Sequence, residues 1–251
     1  MIYIDSNTFL HLTVILSFFL MQFIEMASFG SRVAGKVLNR VALGTTLQHS
    51  IFTASRFFLI LFLPVLGYVV EYGISIENYL IIVIVSFSLS FFASIFLLIR
   101  LNIFQIFFQN VFRFYDKTNI PSAICKALFI KDKFTQSQLQ LCGSYSNKRI
   151  IWKKTLVSLL AYIFLISSYF LAFTLAIIYP ENRLTLSQFT AVFHTFGAII
   201  MSFYLDPMLS RSIDSASENS NWLENTYSIL LGRLLSYFFA IIVLIIILSF
   251  K

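Results

Sequence analysis

"YLIIVIVSFSLSFFASIFLLI", residues 79–99, carries no charge and is long enough to cross the hydrocarbon core of a bilayer. A spanning helix needs about 20 predominantly apolar residues, because no water is present there to satisfy backbone amides. "YSILLGRLLSYFFAIIVLIIILSF", residues 227–250, reads the same way although Arg233 interrupts it. Working outward from these two, the sequence predicts spans over 8–29, 42–70, 78–99, 155–179, 186–206 and 227–249. Pro64 is expected to kink the second span or mark its outer end. With 59% hydrophobic and 12% charged residues, the 251-residue chain lies far outside soluble usage. The fold expected is one all-α polytopic membrane domain over 1–251. No repeat of roughly 20–50 residues is evident.

Orientation follows from the cations, since cytoplasmic loops retain Lys and Arg. One side of a six-span chain would hold Arg32, Lys36, Arg40, every cation from Arg100 to Lys154, and Arg211; the other holds only Arg183 and Lys251. Both termini are therefore expected outside. The net charge of +7 is then a topology signal with some attraction to anionic membrane lipids, and nucleic acid is not an expected partner. The first apolar stretch lacks a basic leader and a small-residue cleavage site, so it reads as a retained helix. Cys125 and Cys142 fall in the large inward loop, 100–154, where a disulfide is not expected. Neither has metal-ligand company, so no metal or cofactor is expected.

Within that loop, "LNIFQIFFQNVFRFYD" (101–116) sorts Phe104, Phe107, Phe108 and Val111 to one side and Asn102, Gln105, Gln109, Arg113 and Asp116 to the other. This predicts an amphipathic helix on the inner leaflet. A Pro-initiated helical patch and a polar stretch follow, ending in a basic cluster, Lys148, Arg149, Lys153 and Lys154, that reads as headgroup anchoring. The last inward loop is polar and acidic.

Ionisable groups inside the membrane are costly, so each needs a partner, a wet cavity or a short reach to the interface. Glu25, Ser28 and Arg32 are spaced by three and four and share a helix face. Thr45 or Thr46, His49, Thr53 and Arg56 form a second stripe, and Ser187, Thr190, His194 and Gly197 a third. Asp206 precedes Pro207 and reads as a cap and helix stop. Arg233 lies inside the last span. If helices one, two, five and six meet, Glu25, Arg32, His49, Arg56, His194, Asp206 and Arg233 line a substrate path with net positive charge. Lys36 and Arg40 would stand at its inner entrance, where Gly35 loosens the helix. Glu25 paired with Arg32 at headgroup level is the competing reading. Arg suits phosphate through its bidentate fork and permanent charge.

Enzyme signatures are missing. The chain has no HExxH, no EExxR, no lipid-phosphatase or alcohol-phosphotransferase pattern, and no Walker A motif; catalytic residues are not expected.

Residues 24–71, "IEMASFGSRVAGKVLNRVALGTTLQHSIFTASRFFLILFLPVLGYVVE", resemble the opening signature of the Amj family of lipid II flippases, alternates to MurJ. The matching positions are Ile24, Glu25, Ser28, Arg32, Ala34, Gly35, Arg40, Ala42, Leu43, Ser55, Arg56, Pro64, Leu66 and Gly67. "YLDPMLSRSID" (204–214) and "LLGRLLS" (230–236) resemble two later family segments. The resemblance implies a bacterial plasma-membrane protein of cell-wall biogenesis. Its cargo would be undecaprenyl-pyrophosphate-linked peptidoglycan precursor, lipid II, carried from the inner to the outer leaflet. Another polyprenyl-linked glycan, a membrane-embedded enzyme, or a scaffold of envelope synthesis working through 100–154 are the alternatives. Coupling would come from protons at Glu25, His49 or His194, or from the membrane potential acting on the cargo.

Overall fold

A computed structural model describes residues 6–129, 149–214 and 222–249. Six helical rods long and apolar enough to span a membrane run over Asn7–Val37, Val41–Glu71, Ile76–Ile99, Trp152–Ile178, Pro180–Asp214 and Trp222–Ser249. The expected six-span, all-helical architecture is present, and several of its rods are longer than hydropathy indicated.

The first rod consists of α1 (Ser6–Ala27) and α2 (Phe29–Val37), joined at Ser28. Ser28 Oγ donates to Glu25 O at 2.6 Å, a back-bond that bends helices. Hydropathy places the end near residue 29. The helix continues through Arg32 and Lys36 because both find partners inside the protein. The second rod is α3 (Val41–Ser55) and α4 (Phe57–Glu71), with its irregularity at Arg56. Pro64 sits inside α4, which continues to Glu71, so it does not end the span.

The third rod is α5 (Ile76–Ile99), started by Ser75, whose Oγ accepts from Asn78 N. It leads into α6 (Leu101–Tyr115) and α7 (Ile120–Phe129), which together form the amphipathic part of the basic-face loop. The predicted helix is present, but its buried arc differs from expectation. Gln105, Gln109 and Asn110 are buried along with Phe108, Val111 and Phe112, because α6 docks against α2 rather than resting one apolar face on lipid. The polar stretch at 130–148, with Cys142 and Lys148, lies outside the described residues, as does 215–221; Cys125 is a free, exposed thiol.

The fourth rod is α8 (Trp152–Ile178). A short 3-10 turn, Pro180–Asn182, opens the fifth, which comprises α9 (Arg183–Ile200), a π-turn (Met201–Leu205) and α10 (Asp206–Asp214). Asp206 therefore does not stop the helix; the chain loosens just before it and continues. The last rod is α11 (Trp222–Ser249).

α8 is the hub. It packs along α9 and α11, α11 packs on α5, and α1 lies against α4 and α5. Bilayer hydrocarbon offers helices no hydrophobic incentive to associate, so close packing of small residues holds such contacts. Gly232 of α11 shows this: a Cβ there would stand 2.5 Å from Thr155 O and 2.6 Å from Ser158 Cβ of α8. Gly232→Leu is expected to force the two helices apart and cost about 1–3 kcal/mol, as overpacking does. Thermal unfolding in detergent checks it. Gly35 does similar work between α2 and α3, where its Cβ position falls 2.8 Å from the Cα of Gly44. It locks the hairpin, in place of the loosening expected from the sequence.

Among the described residues a cluster around Ala34, Leu47, Phe108 and Phe112 packs α6 and α7 against α2 and α3, and two more fill the bundle. One, around Val14, Phe18, Phe62, Phe87, Phe170 and Tyr237, lies toward the Ile76 end of α5. The other, around Met26, Phe29, Leu101, Leu205, Leu209 and Ile229, lies toward the basic face. The charged groups sit between them.

Candidate functional site

Glu25 on α1 is the centre of the arrangement. Its Oε2 lies 3.1 Å from Arg233 Nη2 of α11 and its Oε1 3.8 Å from Arg56 Nε, while Ser55 Oγ donates to Oε1 at 3.3 Å. Arg233 is fully buried, and its Nη2 also donates to Gln22 Oε1 at 2.5 Å. Tyr237, one turn along α11, donates its hydroxyl to the same Gln22 oxygen at 2.7 Å. The Tyr162 ring lies 4.9 Å from the Arg233 guanidinium carbon, a cation–π contact that helps hold a buried charge.

Arg56 occupies the break between α3 and α4. Its Nη1 donates to His194 Nε2 at 3.0 Å and to Tyr169 Oη at 3.2 Å, and its guanidinium lies 4.7 Å from the Phe52 ring. His194 Nδ1 faces Leu165 O at 3.2 Å, so the imidazole donates from Nδ1 and accepts at Nε2. This is the upper tier.

A lower tier lies about 10 Å nearer the basic face, the rise of seven helical residues from Glu25 to Arg32 or from Arg56 back to His49. There Arg32 Nη2 donates to Asp206 Oδ1 at 2.8 Å and meets His49 Nε2 at 3.4 Å. Arg32 is 2% exposed, and among the described residues nothing accepts from its Nε or Nη1. The tiers repeat one composition of guanidinium, carboxylate and imidazole. Together they hold Arg32, Arg56 and Arg233 against Glu25 and Asp206, one formal positive charge in excess.

All seven path residues expected from the sequence thus gather in the two tiers. The expected meeting of helices one, two, five and six is present, with the fourth joining them through Tyr162 and Tyr169. Glu25 and Arg32 do not pair with each other. At the level of Glu25 and Arg233 the side chains of Gln22, Glu25, Tyr162, Arg233 and Tyr237 are buried. Access is lateral: the Arg56 side chain is 29% exposed and that of Asp206 21%, and His49 is exposed. These open onto the flank between the second and fifth rods, the least buried of the six.

Lys36 and Arg40, expected at the entrance, are held by structural contacts. Lys36 Nζ donates to Ile213 O at 2.6 Å, a cation at the C-terminal end of α10. Arg40 grips Asp116 with two hydrogen bonds, 2.6 and 3.0 Å, tying the α2–α3 turn to the end of α6. The hydrogen bond from Arg40 holds the Asp116 carboxyl below its usual range. A depressed carboxyl contributes above its unfolded pKa of about 3.9 and loses its contribution as pH falls through the folded value. Spin labels at residues 38 and 117 are therefore expected to keep one separation from pH 8 to about 5, and to part only below the ordinary Asp range.

Gln22, Ser55, Tyr162, Tyr169 and Tyr237 were not singled out by sequence. The available signal was spacing: Gln22 lies one turn before Glu25 and Tyr237 one turn after Arg233.

No curated protein and no solved structure matches the chain. A family model does, the one described as "Amj: Alternate to MurJ", over residues 17–247. That span takes in both tiers, four whole rods and most of the first and last, and on it the chain belongs to the Amj family, transporters rather than enzymes.

Proposed function

We propose that this protein moves a polyprenyl-pyrophosphate-linked glycan, lipid II first, from the inner to the outer leaflet of a bacterial plasma membrane, with its basic face toward the cytoplasm. The observation that carries the reading is the two-tier ladder. Three arginines stand at two depths of a spanning bundle with one carboxylate fewer, and among the described residues nothing accepts from two of the Arg32 nitrogens. A pyrophosphate is a suitable visitor. It can accept from Arg32 Nε and Nη1 without first breaking a bond, then draw Asp206 away from Nη2.

The next station is Arg56, about 10 Å further out and held by neutral partners on one side. There the phosphate would compete with Glu25 for the guanidinium, while Arg233 keeps Glu25 compensated. The prenyl chain stays in lipid along the flank between the second and fifth rods. The polar groups beside it, Thr46, Thr53 and Thr190, offer hydrogen bonds to the head. Exchange of one anion for another at each arginine keeps net buried charge nearly constant, which avoids the large cost of an unpaired ion in the membrane.

The family description supports the class of transport, and the charge pattern supports a phosphate-bearing cargo. Complementation tests it. Expressed in cells stripped of their lipid II flippases, the chain is expected to restore growth and the appearance of lipid II in the outer leaflet. Growth failure with normal membrane insertion would remove lipid II as the cargo.

A further inference from the structure

The end of the bundle opposite Arg40 and Asp116 holds a separate small cavity of about 270 Å³, between the start of α1 and the α4–α5 turn. Its size is at the small end of ligand pockets, about 300 Å³, room for one sugar ring. Asn7 and His11 enter from successive turns of α1, and Ser75 and Asn78 from the start of α5. Tyr68 and Tyr72 form an aromatic wall, with Leu10, Val69 and Ile74 as apolar lining. Their rings lie 4.3 Å apart at 35°, and both are exposed, 44% and 76%. Gly73, at φ +79, turns the chain between these walls and has open space where a side chain would stand. Among the described residues, no Lys, Arg, Asp or Glu lines the cavity.

We propose that this cavity is a carbohydrate site, taking one pyranose ring of a neutral glycan. The chemistry is specific. Aromatic faces carry negative potential and attract the polarised C–H face of a sugar ring, while amides and imidazole bond its hydroxyl and N-acetyl groups. Among the described residues phosphate finds no cationic counter-charge here, in contrast with the arginine tiers. The cavity lies about 20 Å beyond Glu25, counting along α1 from His11. Resting on the transport reading, the sugar it holds is the head of the cargo on arrival at the far face; a free oligosaccharide would offer the same ring.

The test uses the full chain purified in detergent and saturation-transfer NMR with two lipid-free, phosphate-free probes, chitobiose and maltose. Chitobiose is expected to receive saturation from the wild type more strongly than maltose, since only it carries N-acetyl groups. The signal is expected to fall at least fivefold in Tyr72→Ala, an exposed position at the end of α4 whose loss leaves the core intact, and to persist in Tyr72→Phe and Arg56→Ala. Excess inorganic pyrophosphate is expected to leave it unchanged. Absence of a wild-type signal, equal binding by Tyr72→Ala, or displacement by pyrophosphate would each overturn the assignment. Lipid II export measured in Tyr72→Ala cells separates the sources: slowed export ties the site to the cargo, and unchanged export with intact chitobiose binding to the wild type limits it to free glycans. Failure of the transport reading would instead appear as cells stripped of their lipid II flippases exporting no lipid II although the wild-type chain is inserted in the membrane, which leaves the sugar signal untouched.

Discussion

Replacing Arg56 by alanine is expected to cut lipid II export by about 100-fold while the protein remains in the membrane. The arithmetic comes from one charge-assisted hydrogen bond, worth up to about 3 kcal/mol, with each 1.4 kcal/mol a factor of ten. Arg56 is the partly exposed member of the upper tier, and its removal leaves Glu25 still paired with buried Arg233. Folding should therefore suffer less than transport. Arg56→Lys is expected to recover part of the rate but not all, since an ammonium keeps the charge and loses the planar fork that reaches His194 and Tyr169 together. Export is read from lipid II accessibility at the outer leaflet, and protein level from the membrane fraction. Wild-type export by Arg56→Ala would remove the upper tier from the path.

Glu25→Gln is expected to do the reverse, striking stability first. Arg233 is fully buried and Glu25 is its only carboxylate among the described residues. Removing one member of a buried pair leaves the other uncompensated, at a cost of about 3–5 kcal/mol. The unfolding midpoint in detergent should drop clearly. The double variant Glu25→Gln, Arg233→Met removes both charges, and most of the lost stability should return while export stays low. A Glu25→Gln protein as stable as the wild type would show that Gln22, Tyr162 and Tyr237 hold Arg233 without the carboxylate.

Much of this was visible in the sequence for a physical reason. Lipid forbids unpaired backbone and unpaired charge alike, so long apolar runs reveal the spans and charges within them reveal the site. Glu25, Arg56, His194 and Arg233 stand out because the membrane makes them expensive. Tyr162, Tyr169 and Gln22 do not, since such residues are ordinary in helices and only their neighbours across the bundle give them a role. The end of the first span was misplaced for a related reason. Hydropathy treats Arg32 and Lys36 as exits to water, and it cannot register that Asp206 and Ile213, far along the chain, receive them inside. Similarly, the polar side of α6 pointed to solvent by pattern, while the glycine at position 30 lets that helix settle against α2, with Phe104 Cβ 2.9 Å from where a Cβ would stand.

The π-turn at Met201–Leu205 sets the angular register of the fifth rod. At about 100° per residue, an unbroken α-helix would turn His194 and Asp206 about 120° away from each other. One of them would then face lipid. A π-turn absorbs one extra residue, reducing that difference to about 20°. Both side chains thereby look the same way, one toward Arg56 and the other toward Arg32. A single wide turn of backbone lets one helix serve two levels of charge.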